Sequence, residues 1–272
     1  MRACSFFLLS PVRGRGRVRG DAPTMLETQS LTIRFGGHAA VDGVSCAFEK
    51  GTLTSIVGPN GAGKTTYFNL ISGQLPATSG KVTLNGEDIT SYAAPRRTRL
   101  GLGRAFQLTN LFPNLSALEN VRLAVQVKSG KGYDLLSRTL THRELIDRAM
   151  AHLAAVSLAD RAQTVAATLP HGDQRKLEVA ILLALEPDVF MFDEPTAGMS
   201  IDEVPTVLDI IAAIKARGDK TILLVEHKMD VVRSLSDRIV VLHQGKLVAD
   251  GKPAEVIASD IVREAYLGGA NA

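Results

Sequence analysis

The chain has 272 residues, 45% hydrophobic and 22% charged, with a formal net charge of +3. That is ample for the core of one large domain or two modest ones, and no apolar run approaches the roughly 20 residues a membrane-spanning helix needs. Cys4 and Cys46 have no second Cys or His at metal-ligand spacing, which argues against a disulfide framework or zinc site, and the 5% aromatic content without Trp argues against a base-stacking surface.

Positive charge is concentrated at the start. Residues 1–24 hold Arg2, Arg13, Arg15, Arg17 and Arg19 against Asp21 alone, so residues 25–272 carry a net charge of −1. That balance gives no basis for a nucleic-acid role. The apolar run Phe6–Leu9 is too brief for a secretory signal, so residues 1–24 are expected to be an extension outside the fold, with Met25 the true beginning.

From Leu26 short strand-like runs alternate with turns: LTIRF, GGHAAVDG, VSCAFEKG and TLTSIVG. This pattern predicts an antiparallel layer leading into a buried strand over Leu53–Val57, followed by a helix over Lys64–Ser72. Asn85-Gly86, between strand-like flanks, predicts a hairpin. From about 95 to 175 the sequence turns rich in Ala, Leu, Arg and His and reads as a helical insertion, in which Ser116-Ala117-Leu118-Glu119 is a capping-box pattern. Then DVFMFDE and TILLVEH read as buried strands, separated by a helix around Glu203–Arg217 that stops at Gly218, and RIVVLHQGKLVADG reads as a closing hairpin. Buried strands alternating with helices imply an α/β fold with a mainly parallel core sheet.

The chemistry begins with GPNGAGKTT, which fits G-x-x-x-x-G-K-[ST] at Gly58, Gly63, Lys64 and Thr65. It follows a predicted strand and opens a predicted helix, the context that confirms a phosphate-binding loop. Backbone N–H groups converge on phosphate oxygens there, Lys64 adds a point charge at the terminal phosphates, and the Thr65 hydroxyl suits Mg2+. The complementary carboxylate for the metal is expected at the end of a neighbouring apolar strand, where VFMFDE supplies Asp193. Glu194 follows, placed to activate a water as general base.

A third stretch, TLPHGDQRKLEVA, has the start signals of a capped helix in Pro170 and Asp173, and those signals leave Gly172 unexplained. A glycine there lets another group approach the N–H donors of the helix start, a natural anion site.

With GPNGAGKTT, LPHGDQRKLEVA and FDEPTAG in this order, the chain resembles the nucleotide-binding subunit of ABC transporters from about Leu26 to Gly269. The resemblance implies a phosphate-loop ABC ATPase domain over 25–272, with the N-terminal antiparallel β layer and the inserted α-helical subdomain, using ATP and Mg2+. It also implies head-to-tail pairing of two subunits, each nucleotide lying between the phosphate loop of one and the signature helix of the other. The nucleotide contacts carried over are Gly58, Asn60, Gly61, Ala62, Gly63, Lys64, Thr65 and Thr66 on one side, with Gly172 and Asp173 on the other. Phe35 resembles the aromatic residue that stacks on adenine, although a strand-core role accounts for it nearly as well. Gln107 in GRAFQ resembles the glutamine that senses the γ-phosphate and metal, and His227 resembles the switch histidine that orients the attacking water. Thr65, Gln107 and Asp193 are thus the expected metal group, and Glu194 and His227 the catalytic pair.

Two departures from the family pattern stand out. Pro170, His171 and Asp173 replace the second, third and fifth residues of the common L-S-G-G-Q signature, removing a hydroxyl contact worth on the order of 1–3 kcal/mol. Ser200 stands where an Asp is frequent.

The stretches RFGGHAAVDGVS, GLGRAFQLTNLFPNLSALENVRLA and VREAYLGG narrow the likeness to the ATPases of bacterial importers for branched-chain and other hydrophobic amino acids. That likeness implies membrane permeases, a second ATPase subunit and, indirectly, a periplasmic binding protein as partners. It implies attachment at the cytoplasmic face of the inner membrane. The surface around Leu108–Leu123, with Leu111 and Phe112 near Gln107, is the candidate permease contact, internal packing of the helical region being the alternative. Urea or amide importers and a lipopolysaccharide-export ATPase are similar, and a soluble non-transport ABC ATPase is the competing class. A phosphate-loop kinase leaves the signature helix, Glu194 and His227 without roles.

Overall fold

The computed structural model describes residues 23–105, 111–130 and 140–259. The first layer is a four-stranded antiparallel sheet of β1 (Thr24–Phe35), β2 (His38–Glu49), β4 (Ser79–Leu84) and β5 (Glu87–Asp88), in the order β2-β1-β4-β5. It begins slightly before Met25, since Thr24 pairs with Glu49 and the Lys50 N–H donates to the Pro23 carbonyl. Asn85 and Gly86 both take positive φ, 49° and 81°, as the tight β4–β5 turn requires.

The second sheet combines β3 (Leu53–Val57), β6 (Leu102–Ala105), β7 (Val189–Asp193), β8 (Thr221–Val225), β9 (Arg238–His243) and β10 (Lys246–Gly251), in the order β10-β9-β3-β8-β7-β6. All its pairs are parallel except the closing β9–β10 hairpin. Every residue of β3, β7 and β8 is buried, which explains why these strands read as continuous apolar runs.

The stretch read as helical from about 95 includes β6, which pairs in parallel with β7 and forms the edge of the core sheet. Leu-Gly-Arg-Ala is too short and too polar to signal a strand alone; the exposed edge of β7 makes it one.

The helices are α1 (Lys64–Ser72), α2 (Ala94–Arg99), α3 (Ala117–Lys128), α4 (Leu140–Ala155), α5 (His171–Leu185), α6 (Val204–Ala216), α7 (Met229–Leu235) and α8 (Pro253–Ala258). The Ser116 side chain accepts from the Glu119 N–H at 3.2 Å and caps α3, an interaction worth about 1 kcal/mol. Val121, Leu145, Leu153 and Leu177 from α3, α4 and α5 share one core with Phe190 and Phe192 of β7, so the helical region is packed onto the sheet.

Buried Arg97 fastens the far end of α1. Its guanidinium donates to the carbonyls of Leu70 (2.7 Å), Ile71 (2.6 Å), Thr90 (2.8 Å) and Tyr92 (2.8 Å), satisfying acceptors that the helix end leaves open. Burial lowers its pKa to about 10.

Candidate functional site

The phosphate loop leaves β3 at Val57 and enters α1 at Lys64. Gly58 and Gly63 have φ of 153° and 96°. A side chain would not fit at either position: a Cβ at Gly58 would lie 2.1 Å from the Leu242 carbonyl oxygen, and one at Gly63 2.4 Å from that of Ala40. The loop is therefore pressed against the end of β9 and against β2. The Gly245 N–H also donates to the Ala62 carbonyl at 3.0 Å, tying the loop to the β9–β10 turn.

The Lys64 ammonium, nearly buried, folds back on the loop, donating to the carbonyls of Gly58 at 2.7 Å and Pro59 at 3.0 Å. Burial lowers its pKa, while Glu194 and Asp193 act in the opposite direction. A cavity of about 220 Å³ opens over the loop, lined by Asn60, Gly61, Ala62, Gly63, Lys64, Thr65, Thr66, His38, Ala40, Glu194 and His227. Residues from four separated stretches of the chain thus meet at one opening.

Glu194 and His227 come from the ends of adjacent strands, β7 and β8. The His227 ring nitrogen Nε2 lies 2.7 Å from Glu194 Oε1, and both side chains are partly exposed. Glu194 takes the left-handed conformation, φ 53°, and its N–H donates to the Val225 carbonyl at 2.9 Å, so the turn after β7 is anchored to β8. A second carboxylate, missed from sequence, holds the loops in place. Buried Glu226 accepts from the Thr196 hydroxyl at 2.7 Å and from the His227 N–H at 3.0 Å. Its position, between an apolar strand and the histidine, was the available signal.

Asp193 is buried and its Oδ2 lies 2.6 Å from Arg104 Nη2. Arg104 also donates to Asn69 Oδ1 at 2.7 Å and Ser72 Oγ at 2.9 Å, linking β6, β7 and α1. Burial raises the Asp193 pKa and Arg104 counters it. Arg104 was another residue missed, although GRAFQ had been singled out for Gln107. Among the described residues no group of three or more His, Cys, Asp and Glu forms a metal cage. A Thr65 hydroxyl with an Asp193 carboxylate is nevertheless a donor set that suits Mg2+, which takes few protein oxygens and completes its shell with phosphate and water.

Phe35 is not a core residue: it is 54% exposed at the end of β1, directly paired with His38 of the cavity wall. Gln107 lies outside the described residues. Gly172 and Asp173 do not line the cavity within this chain. Asp173 is buried and holds Arg161 at 2.6 Å and Lys176 at 3.1 Å, so its carboxylate is already engaged. Gly172 packs against Glu203, whose carboxylate oxygens would be 2.2 and 2.3 Å from an added Cβ. The glycine is thus accounted for within this chain by close approach of an anion to the start of α5.

Residues 41–197 match the ABC transporter family. The chain belongs to that family. Within this ABC transporter cassette, residues 246–272 match a second family, the branched-chain amino acid ATP-binding cassette transporter. The high-affinity branched-chain amino acid transport ATP-binding protein LivG of Salmonella typhimurium is 38% identical over 249 residues, covering 90% of this chain and 98% of the relative. Among solved structures, a nucleotide-free ATP-binding cassette from an ABC transporter superposes with TM-score 0.76 at 27% identity, covering 90% of this chain and 99% of its own. A dimeric post-hydrolysis cassette bound to ADP and Pi gives TM-score 0.74 at 26% identity, covering 84% and 99%. Among the described residues of the cassette no helix is long and apolar enough to cross a membrane.

Proposed function

We propose that this ABC cassette is the ATP-hydrolysing subunit of an importer for branched-chain or other hydrophobic amino acids, held peripherally at the cytoplasmic face of the inner membrane by permease subunits. The observation that carries the catalytic part is the meeting of Glu194, His227 and the phosphate loop at one cavity. The match of residues 246–272 and the likeness to LivG support the transport part.

In this reading Lys64 leaves the Gly58 and Pro59 carbonyls for the terminal phosphates of ATP, exchanging two neutral acceptors for charged ones. Thr65, Asp193 and Gln107 would hold Mg2+, which supplies charge neutralisation on the phosphate oxygens when bound. Glu194 takes the proton of the attacking water, and His227, hydrogen-bonded to it, fixes the carboxylate and the water relative to the γ-phosphate. Phe35 stacks on the base. The start of α5 at Gly172 belongs to the nucleotide of a second subunit, so ATP closes the pair and hydrolysis reopens it. Differential affinity of ATP for closed and open pairs provides the work. A periplasmic binding protein delivers the substrate to the permeases.

The test is to express the full chain with an affinity tag, extract the membranes gently in detergent, and identify what co-purifies at fixed ratio. Two permeases with an ATPase subunit are expected, and transport by that assembly then names the amino acid. Recovery without any membrane partner would overturn the transport reading in favour of a non-transport ATPase.

A further inference from the structure

Charged side chains gather at the start of α5, where Asp173, Lys176, Arg161 and Glu203 meet. Pro170, at the N-cap, makes no side-chain capping hydrogen bond, leaving the positive end of a 15-residue helix to be balanced by other groups. Asp173 provides one anion within the first turn. The second comes from Glu203, at the N-cap of α6.

The Glu203 carboxylate is fixed from three sides. Its Oε2 accepts from the Ser200 hydroxyl at 2.9 Å and from the Ser200 N–H at 3.2 Å. Its Oε1 lies 3.6 Å from the Lys176 ammonium, and the whole group rests on Gly172, where a side chain would collide with it. His171 packs on Gly198 close by, so the loop after β7 touches the first turn of α5 at two points. The hydroxyl at position 200 adds a donor to the backbone N–H there, whereas a carboxylate at that position would repel Glu203. The Ser200 bonds also hold the Glu203 carboxyl below its ordinary pKa.

We infer that Glu203 is an internal latch: its carboxylate occupies the start of α5 in the single chain and must be displaced before that helix end can receive the phosphate of a nucleotide held by a second copy. The inference rests on the head-to-tail pairing proposed above and adds its regulation. Two anions compete for one helix terminus and for Lys176, so pairing is held back until the phosphate outcompetes the carboxylate. Ser200 sets how firmly the latch is held.

The test uses the full chain carrying Glu194→Gln to prevent turnover, with ATP-driven dimerisation followed by sedimentation. Adding Glu203→Gln, which keeps the shape and removes the charge, is expected to lower the ATP concentration at half-dimerisation about tenfold, ~1.4 kcal/mol. Ser200→Ala, which frees the carboxylate without removing it, shifts the midpoint the same way by less. The single chain carrying Glu203→Gln is expected to melt slightly earlier, because the latch stabilises that state. This opposite sign separates a latch from a merely structural residue, whose loss would weaken both. An unchanged or higher midpoint in Glu203→Gln overturns the latch. If the Glu194→Gln chain stays monomeric at saturating ATP, dimers appearing only after Glu203→Gln support the latch, whereas monomers in both overturn the pairing and the latch with it.

Discussion

His227 and Glu194 face each other across the ends of two parallel strands, ring nitrogen to carboxylate oxygen at 2.7 Å, at the rim of the phosphate-loop cavity. The contact survives solvent exposure because the backbone beneath it is fixed: the Glu194 N–H is bonded to Val225 and the His227 N–H to Glu226.

Replacing Glu194 with Gln keeps the side-chain shape but removes the proposed proton acceptor. Phosphate release from ATP is expected to fall at least about 100-fold, with ATP still bound. A Gln variant that hydrolyses at the parent rate would exclude Glu194 as base.

In the proposed mechanism His227 acts through the same water and carboxylate, so His227→Ala is expected to slow phosphate release by about the same factor. The double variant with Glu194→Gln should be scarcely slower than either single one, as expected of residues working as a unit. Independent, multiplying losses in single-turnover assays would show that the two do not act together.

Arg104 and Asp193 have side chains only 7% and 4% exposed. Arg104→Met strands the carboxylate in a buried site, and the expected loss of stability is about 3 kcal/mol, read from urea unfolding. The lost positive charge also pushes the Asp193 pKa further up, so Mg2+-dependent nucleotide affinity should fall most at the acidic end of the pH range.

Glu178 of α5 is buried, one of its oxygens has no hydrogen-bond partner among the described residues, and burial raises its pKa from 4.5 to about 7 against the pull of Arg175. A carboxyl group with a raised folded-state pKa binds more protons folded than unfolded, so its contribution is present below pH 4.5 and lost as pH rises through about 7. Glu178→Gln should therefore have little effect at pH near 4 and stabilise the chain by about 3 kcal/mol at pH 8. Urea unfolding of both proteins at the two pH values checks the sign.

Where the physics is local, the sequence was readable. Lys64–Ser72, the Asn85-Gly86 turn, the Ser116 cap and the phosphate loop each depend on neighbours within a few residues, and each was found where its pattern lay. What escaped depends on remote partners. Strand β6 exists because β7 offers it an edge, and Arg104 gains its meaning from Asp193, 89 positions away. Glu226 is similarly separated by 30 positions from Thr196. Gly172 was visible as an anomaly, yet the carboxylate that explains it belongs to a different helix start.

The Gly245 amide bonded to Ala62, and the Leu242 carbonyl pressed on Gly58, mean that the nucleotide cradle is cast against a mould supplied by the closing hairpin. Its shape is thereby written at both ends of the domain, and loosening the Gln244-Gly245 turn would blur the cradle without touching any residue of the phosphate motif.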